Sequence, residues 1–202
     1  MRVIAGSARG AALYGAKGRK LRPVLDRVKE SMFNLLSDRV EDARVLDLFA
    51  GVGSFGIEAL SRGAHRADFI EQHAATARAI NENLNRAHLQ DRGVVHVARL
   101  PGGLAAARGL YGLIFIDPPF RIDQRLLDVL FRLIYNRGLL EEDGLAIYRY
   151  SPHGNYKPPV DKWLLEERRD YGDSIVSIYS PVRRDGRKKG KNLERSNLPW
   201  HF

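Results

Sequence analysis

Hydrophobic positions along the chain follow two alternating repeat lengths. Apolar residues between 28 and 36 recur at the three- and four-residue spacing of an amphipathic helix that begins at Asp26. Short apolar runs typical of buried strands come next, separated by further segments with helical spacing. The pattern predicts strands at residues 44–49, 67–70, 94–97, 113–116, 145–150, 163–169 and 174–179, and further helices around 57–60, 74–87 and 126–133.

The order of these elements predicts an α/β fold. Strands that alternate with helices favour a parallel sheet covered by helices on both faces. The last two strands are too close in sequence for a crossover helix, so they should form an antiparallel hairpin. We therefore expect a Rossmann-like, seven-stranded, mostly parallel sheet with an antiparallel terminal hairpin.

The chain divides into three predicted regions. Residues 1–25 form a basic N-terminal region whose glycines, at positions 6, 10, 15 and 18, allow either a hairpin or a flexible arm. Residues 26–182 carry the alternating strands and helices and form the main domain. Residues 183–202 are basic and contain glycine, so we expect a mobile C-terminal tail.

Charge is concentrated at the two ends of the chain. The 202 residues suit one domain, and their net charge of +9 indicates a polyanionic partner. Residues 1–30 hold eight Lys and Arg against two acids, and residues 183–195 hold seven against two, which leaves about −2 for the segment between them. We expect the ends to contact nucleic-acid phosphates, through Arg9, Lys20, Arg22, Arg27, Arg183, Arg184, Arg187, Lys188 and Lys189.

The absence of cysteine excludes several kinds of chemistry. The sequence has no cysteine, so it has no disulfide, thiolate metal site or cysteine nucleophile. The six histidines lack metal-ligand spacing, and we expect no metal. No apolar run is long enough to span a bilayer, and the N-terminus lacks the apolar segment of a signal peptide, so we expect a cytoplasmic protein.

A glycine-rich turn follows the first predicted strand. Its sequence contains Gly51, Gly53 and Gly56 in a Gly-x-Gly-x-x-Gly pattern, which lets the backbone approach a ligand closely. Asp47 ends the strand before it and can accept a hydrogen bond from the ammonium group of a methionine moiety, but would repel a pyrophosphate. The turn is thus a candidate cofactor site formed by Asp47, Phe49, Ala50, Gly51 and Gly53.

An acidic residue ends the next predicted strand as well. Glu71 lies 24 residues after Asp47, where a carboxylate can accept both ribose hydroxyls of an adenosine. This feature is compatible with either NAD or S-adenosylmethionine.

The strand at residues 113–116 ends in Asp117-Pro118-Pro119-Phe120. Loops at the carboxyl ends of strands face the ligand crevice of an open α/β sheet. The prolines lack N–H donors, so Asp117 and the Pro118 carbonyl can each accept one proton of an exocyclic amine. Phe120 can stack on a base. These four residues are the candidate catalytic site.

Taken together, these motifs resemble the bacterial RsmD-type methyltransferases, which make N2-methylguanine in 16S ribosomal RNA. The resemblance spans roughly residues 2–180 and is carried by Ile4-Ala5-Gly6, Arg9-Gly10, Leu21-Arg22-Pro23, the segments 26–30, 33–34, 46–51 and 56–64, and Asp117-Pro118-Pro119-Phe120.

It implies a class I methyltransferase fold, S-adenosylmethionine as cofactor, and ribosomal RNA or the 30S subunit as partner. We assume that the protein is a monomer. It also places Ala98 and Arg99 beside the adenine, where the family usually presents a polar side chain. At 148–150, Tyr-Arg-Tyr occupies a strand end that often carries a carboxylate in the family.

Three other functions are compatible with parts of the pattern. A nicotinamide-dependent oxidoreductase would use the glycine turn but gives Asp-Pro-Pro-Phe no role. A catalytically silent RNA-binding protein would keep the fold and the basic ends. An adenine-N6 methyltransferase acting on DNA or RNA could use Asp-Pro-Pro-Phe, although no separate target-recognition region is visible in the sequence.

Overall fold

The computed structural model describes residues 1–15, 26–154 and 156–182. Within these residues, four α-helices and seven strands follow one another in the order that the sequence predicts. The helices are α1 (Asp26–Leu36), α2 (Ser54–Ser61), α3 (Ala74–Arg86) and α4 (Gln124–Asn136). The strands are β1 (Arg44–Leu48), β2 (Arg66–Glu71), β3 (Gly93–Val97), β4 (Tyr111–Ile116), β5 (Leu140–Tyr150), β6 (Trp163–Asp170) and β7 (Ile175–Pro181).

The seven strands form one sheet in the order β3-β2-β1-β4-β5-β7-β6. Strands β1 to β5 pair in parallel, whereas β7 is antiparallel to both β5 and β6. The predicted α/β fold with its terminal antiparallel hairpin is therefore confirmed. Strand order reverses between β1 and β4, and open sheets of this kind bind ligands at such a point.

Each face of the sheet packs against its own apolar layer. One layer joins α1, α2 and α3 to the sheet residues Val45, Phe115 and Ile147. The other joins α4 to the alternate sheet residues, among them Leu46, Ile116 and Tyr148. Because successive side chains of a strand point to opposite faces, the same alternation decides which side the residues at the strand ends occupy.

Several elements differ in extent from the sequence prediction. Strand β1 ends at Leu48 because Phe49 has a positive φ of 61°, which breaks the extended backbone. Strand β5 begins at Leu140, five residues early, and its pairing with β4 shifts register between Tyr111 and Leu113. The apolar run in this strand starts only at Leu145, after the register shift. The sequence prediction therefore missed residues 140–144.

Residues 1–15 form a small hairpin packed on the main domain. An antiparallel bridge joins Arg2 to Ala12, and Val3 and Leu13 are buried in the same layer as α1 to α3. The hairpin alternative thus holds for these residues. Among the described segments, no helix is both long and apolar enough to cross a membrane.

Candidate active site

A cavity of about 760 Å³ opens at the carboxyl ends of β1, β2 and β4. This volume lies in the range of small-molecule and cofactor sites. Its walls bring together most of the predicted site residues: Phe49, Ala50, Gly51, Glu71, Ala98, Arg99, Asp117, Pro118, Pro119 and Phe120.

The glycine turn between β1 and α2 has a strained, left-handed backbone. Gly51 and Gly53 have φ values of 58° and 81°, which glycine adopts without steric cost. Phe49 shares this conformation at φ 61° although it carries a side chain, and such strain costs about 1–3 kcal/mol. Residues 49–51 all line the cavity. Gly53 does not line the cavity; it is the N-cap of α2.

Glu71 projects from the end of β2 into the cavity wall. Its Oε2 accepts the Gly51 N–H at 3.1 Å, and its Oε1 accepts the His73 N–H at 2.8 Å. A carboxylate can accept about four hydrogen bonds, so each oxygen retains one lone pair. The two remaining positions match the two hydroxyls of a ribose.

Replacing Glu71 with alanine should weaken S-adenosylmethionine binding. Loss of a hydrogen bond to a charged group costs about 1.5–3 kcal/mol, which corresponds to roughly 10–150-fold in Kd. Calorimetric titration of the variant measures this change, and thermal unfolding shows whether the turn that Glu71 supports survives. An unaltered Kd would place the ribose elsewhere.

Asp47 lies behind the cavity wall rather than on it. Its side chain is only 1% exposed, and Oδ2 accepts the Gly56 N–H at 2.9 Å. Burial raises the pKa of Asp47 well above its usual range, and the nearby charges of Asp117 and Glu71 raise it further, whereas the Gly56 hydrogen bond opposes the shift. The carboxyl group accepts an N–H of the first turn of α2 and so helps to hold the glycine turn. Its predicted contact with a ligand ammonium group stays a prediction.

Three acidic groups surround the floor of the cavity. Asp47, Glu71 and Asp117 lie at the ends of neighbouring strands, and their mutual repulsion contributes to the raised pKa of Asp47. One of them, Asp117, is paired with the cation Arg149, which also lines the cavity. The Glu71 carboxylate, the backbone of the glycine turn and the apolar lining residues fit an adenosine-containing cofactor.

The wall beyond β3 is mainly apolar. Ala98, Leu100 and Ile70 line it together with the exposed Arg99. The Ala98 N–H donates to the Glu71 carbonyl at 3.0 Å, so the start of this loop is fixed against β2. Such a wall would hold an adenine mainly by packing, since Ala98 offers no polar side chain.

The Asp-Pro-Pro-Phe loop forms the opposite wall. The Pro119 carbonyl accepts the Ile122 N–H at 3.0 Å, which closes the turn before α4. Pro118 is buried, whereas the Phe120 ring is 39% exposed at the rim. An acid at the floor and an accessible ring at the rim are suited to holding a planar base edge-on to the carboxylate.

The sequence prediction did not include Arg149, a further charged residue of the cavity. Arg149 lies near the end of β5, and its Nε and Nη2 atoms each donate to an Asp117 oxygen at 2.9 Å. An arginine within the apolar run at residues 145–150 was a visible signal of this ion pair. Its partner depends on strand register, which the sequence does not give.

The predicted phosphate contacts are only partly described. Arg9, in the N-terminal hairpin, and Arg27, in the first turn of α1, are exposed to solvent. The remaining predicted contacts lie outside the described residues: Lys20, Arg22, Arg183, Arg184, Arg187, Lys188 and Lys189.

The chain matches a protein-family model over most of its length. The family model described as "Conserved hypothetical protein 95" matches residues 1–180. The ribosomal RNA small subunit methyltransferase D of Escherichia coli K12 is 35% identical over 180 residues, which cover 89% of each chain. Its namesake in Haemophilus influenzae is 34% identical over 188 residues, covering 89% of this chain and 93% of that one.

Solved structures share the fold over most of the chain. The Escherichia coli protein yhhF is 32% identical, covers 90% of this chain and 97% of its own, and superposes with a TM-score of 0.78. The ribosomal protein L11 methylase of Lactobacillus delbrueckii has the same fold at 17% identity and a TM-score of 0.62. From its sequence relatives and its site, this chain belongs to the ribosomal RNA small subunit methyltransferase D (RsmD) family of class I methyltransferases.

Proposed function

We propose that the protein transfers a methyl group from S-adenosylmethionine to the exocyclic N2 amine of a guanine in 16S ribosomal RNA. It would act as a cytoplasmic monomer on ribosomal RNA or the 30S subunit. The observation that carries the proposal is the shared cavity: the Asp-Pro-Pro-Phe loop faces the same space as the glycine turn and Glu71. A cofactor held by the turn and a base held by the loop would meet there.

The chain's own contribution to the reaction is positioning. The cofactor supplies a methyl group already activated by a positively charged sulfur, so no strong base is required. A guanine N2 amine is a poor nucleophile because its lone pair is delocalised into the ring. Asp117 and the Pro118 carbonyl would each accept one N–H of the amine and favour the pyramidal nitrogen of the transition state.

The methyl transfer needs no reactant besides the cofactor and the amine. The new N–C bond forms as the C–S bond breaks, and the electron pair of that bond goes to sulfur, which loses its charge. The nitrogen then releases a proton to water or to Asp117. The Asp117 carboxylate beside the amine would offset the positive charge that develops on nitrogen before this proton leaves.

Phe120 would hold the target base outside the helix stack. Flipping a nucleotide out of a duplex costs a few kcal/mol, and stacking on an aromatic ring returns about 1–3 kcal/mol. The exposed position of the ring at the rim suits this contact.

Labelled S-adenosylmethionine offered separately to naked 16S RNA, assembled 30S particles and DNA tests the proposal. We expect label in ribosomal RNA, and mass analysis of the nucleosides should identify N2-methylguanosine. Label in adenine, or in DNA alone, would contradict the guanine assignment. Binding of RNA with no transfer to any substrate would indicate a silent homologue.

The basic C-terminal residues should contribute to RNA affinity electrostatically. Replacing Arg183, Arg184, Arg187, Lys188 and Lys189 with glutamine in the full chain should reduce the salt dependence of RNA binding. The slope of log affinity against log salt should become less negative by up to about 3.5, since each neutralised single-strand phosphate contributes about 0.7. Titrations at several salt concentrations measure it, with cofactor affinity as the unchanged control. An unaltered slope would show that these residues do not touch the RNA.

A further inference from the structure

The Asp117 carboxylate is held by a forked ion pair inside the cavity. Arg149 Nε donates to Asp117 Oδ1 and Arg149 Nη2 to Oδ2, both at 2.9 Å. The Arg149 side chain is 6% exposed and the Asp117 side chain 17%. Both residues line the cavity. The pair is thus largely withdrawn from water but still borders the space where a base would enter.

Strand register brings these two residues together. Tyr148 of β5 lies opposite Ile116 of β4, so the next residue of each chain segment, Arg149 and Asp117, lies on the same face of the sheet. Residues two positions earlier, Ile147 and Phe115, are buried in the layer beneath α1 and α2. Arg149 is therefore placed by the sheet itself, and β7 pairs with it from the other side through Val176.

A buried guanidinium needs a carboxylate and in turn restricts it. Burial of an unpaired charge is costly, and a two-point Arg–carboxylate contact fixes the plane of the carboxylate as well as its position. This contact occupies one of the two lone-pair positions on each Asp117 oxygen. In the proposed reaction the amine of the base would be a further donor to the same carboxylate.

Arg149 contributes a positive charge to an acidic part of the cavity. Asp47 on β1 and Glu71 on β2 are acids near Asp117, and Arg149 on β5 is a cation in direct contact with it. Met1, His73 and Arg99 also line the cavity. Removing Arg149 would take away the paired cation and the two-point contact that holds the Asp117 carboxylate.

We propose that Arg149 is a positioning residue for methyl transfer, which holds the Asp117 carboxylate in the orientation that accepts the N–H of the target amine. The inference rests on the proposed role of Asp117 as the amine acceptor. Arg149 acts through Asp117 and does not itself bind the cofactor.

Two substitutions of Arg149 in the full-length protein separate the effect of its charge from the effect of its two-point contact with Asp117. Arg149→Met removes the cation but keeps a long side chain suited to burial, whereas Arg149→Lys keeps a cation and loses the two-point contact. Single-turnover methylation of 30S particles is measured between about pH 5.5 and 9, with cofactor Kd from calorimetry and the unfolding temperature alongside.

We expect Arg149→Met to slow methylation roughly 10–100-fold at neutral pH. The acidic limb of its pH–rate profile should move upward by about one pH unit or more, because the carboxylate has lost its neighbouring cation. Arg149→Lys should keep the wild-type acidic limb and lose roughly 3–10-fold in rate. Cofactor Kd should stay within about twofold in both, since the side-chain hydrogen bonds of Arg149 are with Asp117 and not with the glycine turn or Glu71.

A double-substitution cycle shows whether Arg149 acts through Asp117. Arg149→Met should slow an Asp117→Asn enzyme by less than about twofold, because the group it positions has already lost its charge. A further loss equal to that in the wild-type background would overturn the inference, as would a wild-type rate and pH profile for Arg149→Met. If Arg149→Met does not fold, Arg149→Lys carries the test, and a wild-type rate there overturns the inference.

The same measurements test the positioning role of Arg149 separately from the acceptor role of Asp117. Near-normal methylation by Asp117→Asn would remove the acceptor role of Asp117 and the inference with it. Slow methylation by Asp117→Asn together with normal methylation by Arg149→Met would overturn only the role of Arg149.

Discussion

Asp117→Asn should lower the single-turnover rate of methylation by roughly 100–1,000-fold, the loss typical of removing one preorganised group that stabilises transition-state charge. The substitution keeps the size of the side chain but removes the negative charge and one acceptor oxygen. It also turns an NH₂ group toward donors, either the Arg149 guanidinium at 2.9 Å or the target amine. Cofactor affinity should change far less than the rate.

Asp123→Asn is a matched control for this prediction. Asp123 lies six residues further along, is exposed, and caps α4 through a hydrogen bond from the Arg125 N–H at 2.9 Å. Asparagine caps helices about as well as aspartate, so the same chemical change should leave both fold and rate intact. Comparable rates for the two variants would show that the loop containing Asp117 is structural and that the catalytic assignment is wrong.

The sequence predicted the location of the site better than the orientation of its groups. Asp47, Glu71 and Asp117 each follow a short apolar run, and parallel strands bring such residues to one edge of a sheet. This local pattern was sufficient to identify the cavity walls. It could not show that Asp47 turns toward Gly56, because that contact depends on how closely the first turn of α2 lies over β1.

The ion pair between Arg149 and Asp117 is a second contact that the sequence could not predict. Alternation along β4 and β5 places Asp117 with Phe115 and Arg149 with Ile147, but alternation does not say which residue lies opposite which. The pairing depends on a register shift between Tyr111 and Leu113, where β5 gains residues relative to β4. Irregular pairing of this kind depends on tertiary packing and leaves no periodic signal in the sequence.

The N-terminal residues were open to two interpretations for a related reason. Glycines at positions 6 and 10 permit a hairpin or a flexible arm equally well. The hairpin is held by Glu58, whose Oε2 accepts the Ile4 N–H at 2.8 Å and whose Oε1 accepts the Ala5 N–H at 3.0 Å. Glu58 is an acid among the apolar residues of α2, and this was the sequence signal of a buried polar contact. The sequence did not show that its partners lie in the hairpin.

Glu58 lies at the centre of a buried charged cluster that ties the hairpin to two helices. Its side chain is fully buried and lies 3.1 Å from Lys29 Nζ of α1, which is 1% exposed and also donates to the Arg2 carbonyl at 2.6 Å. Arg62 Nε donates to Glu58 Oε1 at 2.8 Å. Burial lowers the pKa of Lys29, and the charge of Glu58 opposes that shift, so the lysine depends on this acid to remain protonated.

Glu58→Gln should therefore destabilise the protein strongly. Removing one partner of a buried ion pair typically costs about 3–5 kcal/mol because the other charge is left uncompensated. For a domain of this size that cost corresponds to a fall of roughly 6–20 °C in the unfolding temperature. Hydrogen exchange at the Ile4 and Ala5 amides should also accelerate, because glutamine replaces the carboxylate that accepts both of their hydrogen bonds.

Two comparisons make the Glu58 result specific. Asp128→Asn makes the same acid-to-amide change in another i,i+4 pair, Arg132–Asp128, whose side chains are 49% and 40% exposed, and it should barely change the unfolding temperature. Lys29→Met in the Glu58→Gln background should recover part of the loss, because it removes the unpaired buried cation. If Glu58→Gln unfolds no earlier than Asp128→Asn, the hairpin is held by its apolar contacts through Val3 and Leu13, and the charged cluster adds little to stability.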